Sequence, residues 1–89
     1  LLLDEAFSAL DAITKDEVHT AFLNAITKHK VTTVFVTHDI DEALYLAESI
    51  IILKNGNLLA NMENPLFGIT KQEKPLAYSK SHQEIKELI

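Results

Sequence analysis

LLLDEAFSALD, residues 1–11, runs three leucines into two adjacent carboxylates and then through a small-residue turn to a third acid. Short continuous apolar runs of this kind suit a strand buried on both faces, as in a parallel sheet. TTVFVT, residues 32–37, is β-branched and aromatic and reads as a second strand. Between them Thr14 and Glu17 have capping-box spacing, which starts a helix at Thr14 or just before it. Val18, Ala21, Phe22, Ala25 and Ile26 then repeat at i, i+3, i+4, i+7 and i+8, one apolar stripe. Strand, helix, strand in this order is the beginning of an α/β fold with a parallel sheet.

The pattern continues downstream. Asp39 is placed to cap a second helix, with Glu42 three residues on and Ile40, Ala43, Leu44 and Ala47 as its buried face. Ile50–Leu53 reads as another buried strand. Asn55-Gly56 is a hairpin turn signal, since both positions tolerate positive φ, and Leu58–Met62 is the returning strand. From Glu63 the texture changes. Pro65, Gly68 and Pro75 punctuate a polar stretch without clear period, so residues 63–80 read as an irregular arm. Ser81 and Glu84 have capping-box spacing ahead of a short terminal helix to Ile89. The expected division is residues 1–62 and residues 63–89.

In parallel α/β sheets, ligands bind beyond the carboxyl ends of the strands. Asp4 and Glu5 lie where the first strand ends, and Thr37, His38 and Asp39 where the second ends. If these strands are neighbours, two acids and a histidine converge, with the leucines as a stiff support. Taken singly, acids after a strand more often cap the next helix or face water, and Asp11 alone reads as a turn residue or cap. His19, His29 and His82 fall on expected polar helix surfaces or near helix ends and receive no role.

Composition bounds these readings. The chain has 89 residues, room for one small domain, and a net charge of -5 with both signs mixed, which argues against nucleic acid as a partner. It has no cysteine, hence no disulfide framework and no thiolate metal site. No apolar run approaches the ~20 residues that span a bilayer.

The combination LLLDE, then FSALD, a helix, and VFVTHD resembles the ATP-binding subunit of ABC transporters. Leu1–Glu5 is similar to the Walker B strand, Ser8-Ala9-Leu10-Asp11 to the D-loop, and Val36-Thr37-His38-Asp39 to the H-loop with its switch histidine. DEALYLAESIIILKNGNL, residues 41–58, extends the likeness, which covers roughly residues 1–62 and is closest to the nitrate, sulfonate and taurine importers. Ala6 departs from the family, which usually has Pro there, and this is expected to loosen the turn after Glu5. The resemblance implies ATP and Mg²⁺ as ligands. Asp4 would hold Mg²⁺, Glu5 would be the general base for the attacking water, and His38 would touch the γ-phosphate and the water. Asp11 would stand at the seam of a dimer with a second ATPase subunit. Transmembrane permease subunits would be the other partners, at the cytoplasmic face of the membrane.

The only glycines are Gly56 and Gly68, so the sequence has no G-x-x-x-x-G-K-[ST] cradle, nor an LSGGQ-type signature. The expectation is therefore the C-terminal half of a three-layer P-loop NTPase domain, inactive by itself. Two other readings compete. One is a non-catalytic interaction module derived from such a domain. The other is a divalent-metal hydrolase with Asp4, Glu5, His38 and Asp39 as ligands.

Overall fold

The computed structural model describes residues 1–89. Two compact units divide it, residues 1–38 and residues 39–89. In the first, β1 (Leu2–Asp4) and β2 (Val34–Val36) pair in parallel, with Leu2 opposite Val34, Leu3 opposite Phe35 and Asp4 opposite Val36. Helix α1 (Ala12–His29) connects them. It starts two residues before Thr14 because Asp11 takes the N-cap: its carboxylate accepts from the Thr14 amide at 2.8 Å and from the Thr14 hydroxyl at 3.1 Å. Two candidate caps competed, and the acid, with two oxygens, satisfies more donors. At the other end Lys30 takes the left-handed conformation, φ 52°, and returns its amide to the Ile26 carbonyl.

The buried face of α1 is rotated from the expected stripe. Ala21 and Ala25 are exposed, whereas His19 is buried and Phe22, Leu23 and Ile26 are half-buried. His19 thus lies in the core of this unit and not on a polar surface. The Phe7 ring meets it edge-on at 4.9 Å between centroids and packs at 5.6 Å against both Phe22 and Phe35. The leucines are not the anchor: Leu1 and Leu2 are 66% and 68% exposed. The aromatic cluster is the dry support under the β1–α1 turn.

In the second unit Asp39 caps α2 (Ile40–Leu46) through the Glu42 amide, as expected. β3 (Ser49–Lys54) and β4 (Asn57–Glu63) form an antiparallel hairpin. Asn55 and Gly56 have φ 53° and 77°, the two positive values a tight primed turn needs. β3 and β4 form a two-stranded sheet of their own. The apolar run of β3 is covered on one face only, with Ile50 and Ile52 buried and Ile51 and Leu53 exposed.

The terminal helix α3 (Pro75–Leu88) begins six residues before Ser81. Pro75 fits a first helical turn, where no amide partner is needed. The early start lets Tyr78 as well as Ile85 reach a core of Leu44, Ile50, Ile52 and Leu66. The Tyr78 hydroxyl donates to the Ile69 carbonyl, and burial first, then the charge of Asp41, pushes its pKa up to about 12. Asn64 joins the arm to α2. Its side-chain amide donates to the carbonyls of Leu44 at 2.7 Å and Ala47 at 2.6 Å, and its oxygen accepts from the Leu66 amide at 3.0 Å.

Candidate active site

Glu5 follows the last residue of β1 and has φ 54°, in the left-handed region that non-glycine residues seldom occupy. Its amide donates to the Val36 carbonyl at 2.8 Å, carrying the parallel ladder one residue beyond the strand. Its carbonyl accepts from the Ser8 amide at 3.3 Å and the Ser8 hydroxyl at 3.0 Å. Both ends of the residue are thus held, and outliers of this kind concentrate where a side chain must be aimed.

The aim is His38. Its Nδ1 lies 2.5 Å from Oε1 of Glu5. The His38 side chain is 94% exposed and that of Glu5 33% exposed, so the pair adds little to stability and is open to a ligand. Asp4, exposed and directly opposite Val36 in the register, stands beside them. The convergence expected at the two strand tips therefore holds for Glu5 and His38.

Asp11 and Asp39 are placed otherwise. Both oxygens of Asp11 are engaged by Thr14, and those bonds, the amide's first, hold its carboxyl below the usual carboxylate range. Asp39 is the cap of α2. Asp4, Glu5, His38 and Asp39 do not form a cluster of three or more groups able to hold a metal ion.

Over 56 residues, 63% of this chain, the sequence is 50% identical to the bicarbonate transport ATP-binding protein CmpD of Synechococcus elongatus, covering 20% of that protein. The nitrate import ATP-binding protein NrtD of the same organism matches to the same extent. The aliphatic sulfonates import ATP-binding protein SsuB of Bacillus cereus is 48% identical over 68 residues, 74% of this chain and 27% of its own length. The chain is a homologue of ABC transporter ATP-binding subunits. It spans about a fifth to a quarter of the length of the curated relatives it matches. No protein-family model matches it. No helix of the chain is long and apolar enough to cross a membrane.

Three features of the homologue's site are not evident from residue types alone. Ser8 binds the backbone of Glu5, Phe7 plugs the turn beneath it, and His19 completes the aromatic cluster. Only the last had a usable signal: His19, Phe22, Leu23 and Ile26 also stand at i, i+3, i+4 and i+7.

Proposed function

We propose that this chain carries the hydrolytic edge of an ATP-hydrolysing subunit that powers an ABC-type importer. The observation that carries the reading is the Glu5–His38 bond at the tips of two paired parallel strands. Glu5 is the general base. With Oε1 held by His38, Oε2 is left to accept a proton from an attacking water, the arrangement a base one water from its target requires. Held by Glu5 at Nδ1, the His38 ring turns Nε2 outward, and it donates to a phosphate oxygen only when that second nitrogen also carries a proton. Asp4 would hold Mg²⁺. A single exposed carboxylate suits a cation that keeps most of its waters and takes its other oxygens from substrate phosphates. An ion held there by Asp4 would supply neutralisation of the charge on the transferring phosphoryl group.

The parallel pair belongs to a three-layer P-loop NTPase sheet and residues 1–62 to the ATPase domain, and residues 63–89 follow as an arm and helix whose Leu66, Tyr78 and Ile85 pack into one core with Leu44, Ile50 and Ile52. Asp11, through its cap of α1, fixes the turn at the seam with a second ATPase subunit. Permease subunits are the membrane partners, at the cytoplasmic face. Without a phosphate cradle in its sequence, the chain alone hydrolyses no ATP. The test joins this chain to the upstream segment of a relative such as CmpD. Glu5→Gln in that fusion keeps ATP binding by calorimetry and lowers turnover about 10²–10⁴-fold, the usual contribution of a general base. His38→Ala also slows turnover. Unchanged turnover in Glu5→Gln would move the base elsewhere.

A further inference from the structure

We infer that Ser8 is a positioning residue, whose hydroxyl holds Glu5 in the left-handed conformation that brings its carboxylate to His38. The inference rests on the reading of Glu5 as the base. The register shows why a kink is needed. Asp4 lies opposite Val36, so a straight continuation of both strands would set Glu5 beside Thr37 and Ala6 beside His38. Side chains alternate faces along a strand, and Glu5 would then point away from the face that carries His38. The left-handed turn at Glu5, φ 54°, re-aims it.

A conformation of this kind costs of order 1–3 kcal/mol and persists only where its surroundings over-determine it. At Glu5 the amide is fixed by Val36 at 2.8 Å, which leaves the carbonyl as the free end. Ser8 supplies both of the bonds to that carbonyl, and its hydroxyl, at 3.0 Å, approaches closer than its amide, at 3.3 Å. Ala6 contributes no restraint of its own, because only Pro at that turn position would pre-set φ. Phe7, buried among Phe22, Phe35 and His19, holds the far side of the turn but makes no bond to Glu5. The Ser8 hydroxyl is therefore a side-chain group that acts directly on the Glu5 backbone.

The experiment uses the chain joined to a relative's upstream segment, without nucleotide, and long-range ¹H–¹⁵N NMR of the His38 ring at a pH where both ring-nitrogen shifts show a neutral imidazole. Donation from Nδ1 to Glu5 makes the parent an Nδ1–H tautomer, against the Nε2–H form of a free ring, and Glu5→Ala supplies the unpaired reference spectrum. Ser8→Ala is expected to shift the ratio of paired to unpaired His38 about five-fold, the effect of losing one ordinary hydrogen bond. Ser8→Thr, which keeps the hydroxyl, should match the parent. Amide shifts of α1 confirm that each variant is folded. A parent tautomer ratio in folded Ser8→Ala, even with reduced thermal stability, would overturn the inference and leave Ser8 structural. A parent already in the Nε2–H form would overturn it too. If the tautomer shifts as expected while Glu5→Gln leaves turnover of the fused domain unchanged, the role of Ser8 stands and the assignment of the base fails.

Discussion

Replacing Phe7 by Ala tests whether the aromatic cluster supports the site. Phe7 is 7% exposed, and its ring meets three others within 5.6 Å. Truncating a buried Phe to Ala typically costs about 3–5 kcal/mol, part of it from the cavity left behind. Each aromatic pair adds about 0.5–1.5 kcal/mol beyond area burial. A whole domain has only about 5–15 kcal/mol of net stability, and the unit concerned spans only residues 1–38. The loss is thus comparable with everything that holds this unit together. Hydrogen exchange is the assay. The amides of Val34 and Glu5, which donate to Leu1 and Val36, should lose protection, with the β3–β4 ladder as internal reference. Phe7→Leu, which keeps apolar volume and loses the ring pairs, should fall between parent and Phe7→Ala. Undiminished protection of Val34 and Glu5 in Phe7→Ala would refute the claim that the cluster is the anchor.

Two further predictions concern the second unit. Asn64→Ala orphans the Leu44 and Ala47 carbonyls and the Leu66 amide, and should cost about 3 kcal/mol or more in urea unfolding, since each unsatisfied buried group costs about 1–3 kcal/mol. Asn64→Asp should be no milder, because it sets a carboxylate oxygen against the two carbonyls. Asp41 accepts from His82 and from Lys71, each at 3.0 Å; burial opposes its charge, but these two partners prevail and hold its carboxyl below the usual 3.8. A lowered carboxylate pKa contributes stability that is present above the unfolded value and is lost as pH falls through the folded one. Urea midpoints of the parent and Asp41→Asn should therefore differ at pH 6 and converge as pH drops below about 3.8; a gap that persists at pH 2 would count against the ion pairs.

The features legible in the sequence are the ones fixed locally. The Asp39 cap, the Asn55-Gly56 turn and the strand at Val34–Val36 each depend on a few adjacent residues, and each stands where expected. Where two local signals compete, the structure departs from the expected helix start. Asp11 outcompeted Thr14, and Pro75 started α3 ahead of the Ser81–Glu84 spacing. Asn64 could not be read at all, since its three bonds reach 2 to 20 residues away. At the site, the nearness of Glu5 and His38 was legible from strand order, because neighbouring β1 and β2 bring the two strand tips together, but their bond also needs the kink at Glu5. The left-handed backbone at Glu5 was not legible, because nothing about a glutamate announces positive φ.

The site stands next to apolar side chains of the β1–β2 pair that are exposed. Alternation along the pair puts Leu3 and Phe35 toward α1, both half-buried, and turns Leu2, Val34 and Val36 the other way, 68%, 59% and 44% exposed. His38 follows two residues beyond Val36, past the end of β2, and is itself exposed. So the groups proposed to do the chemistry stand beside apolar side chains in water. Burying such a side chain is worth about 1.5–3 kcal/mol, and unpaired strand edges with apolar faces invite other chains to pair with them. Water at this face would also compete for Glu5 and weaken every electrostatic contact there, since such contacts strengthen as a site is dried. The same cover would then serve folding and chemistry. The chain alone should bind a hydrophobic dye and sediment as oligomers. The fusion to a relative's upstream segment should be monomeric and dye-silent, and should gain ATP binding in the same step. Substituting Leu2 and Val34 by Thr should reduce dye binding of the chain alone while leaving the Glu5–His38 tautomer signature intact. A chain that is monomeric, cooperatively folded and dye-silent by itself would show that this face needs no cover, and the coupling between covering it and completing the site would fall.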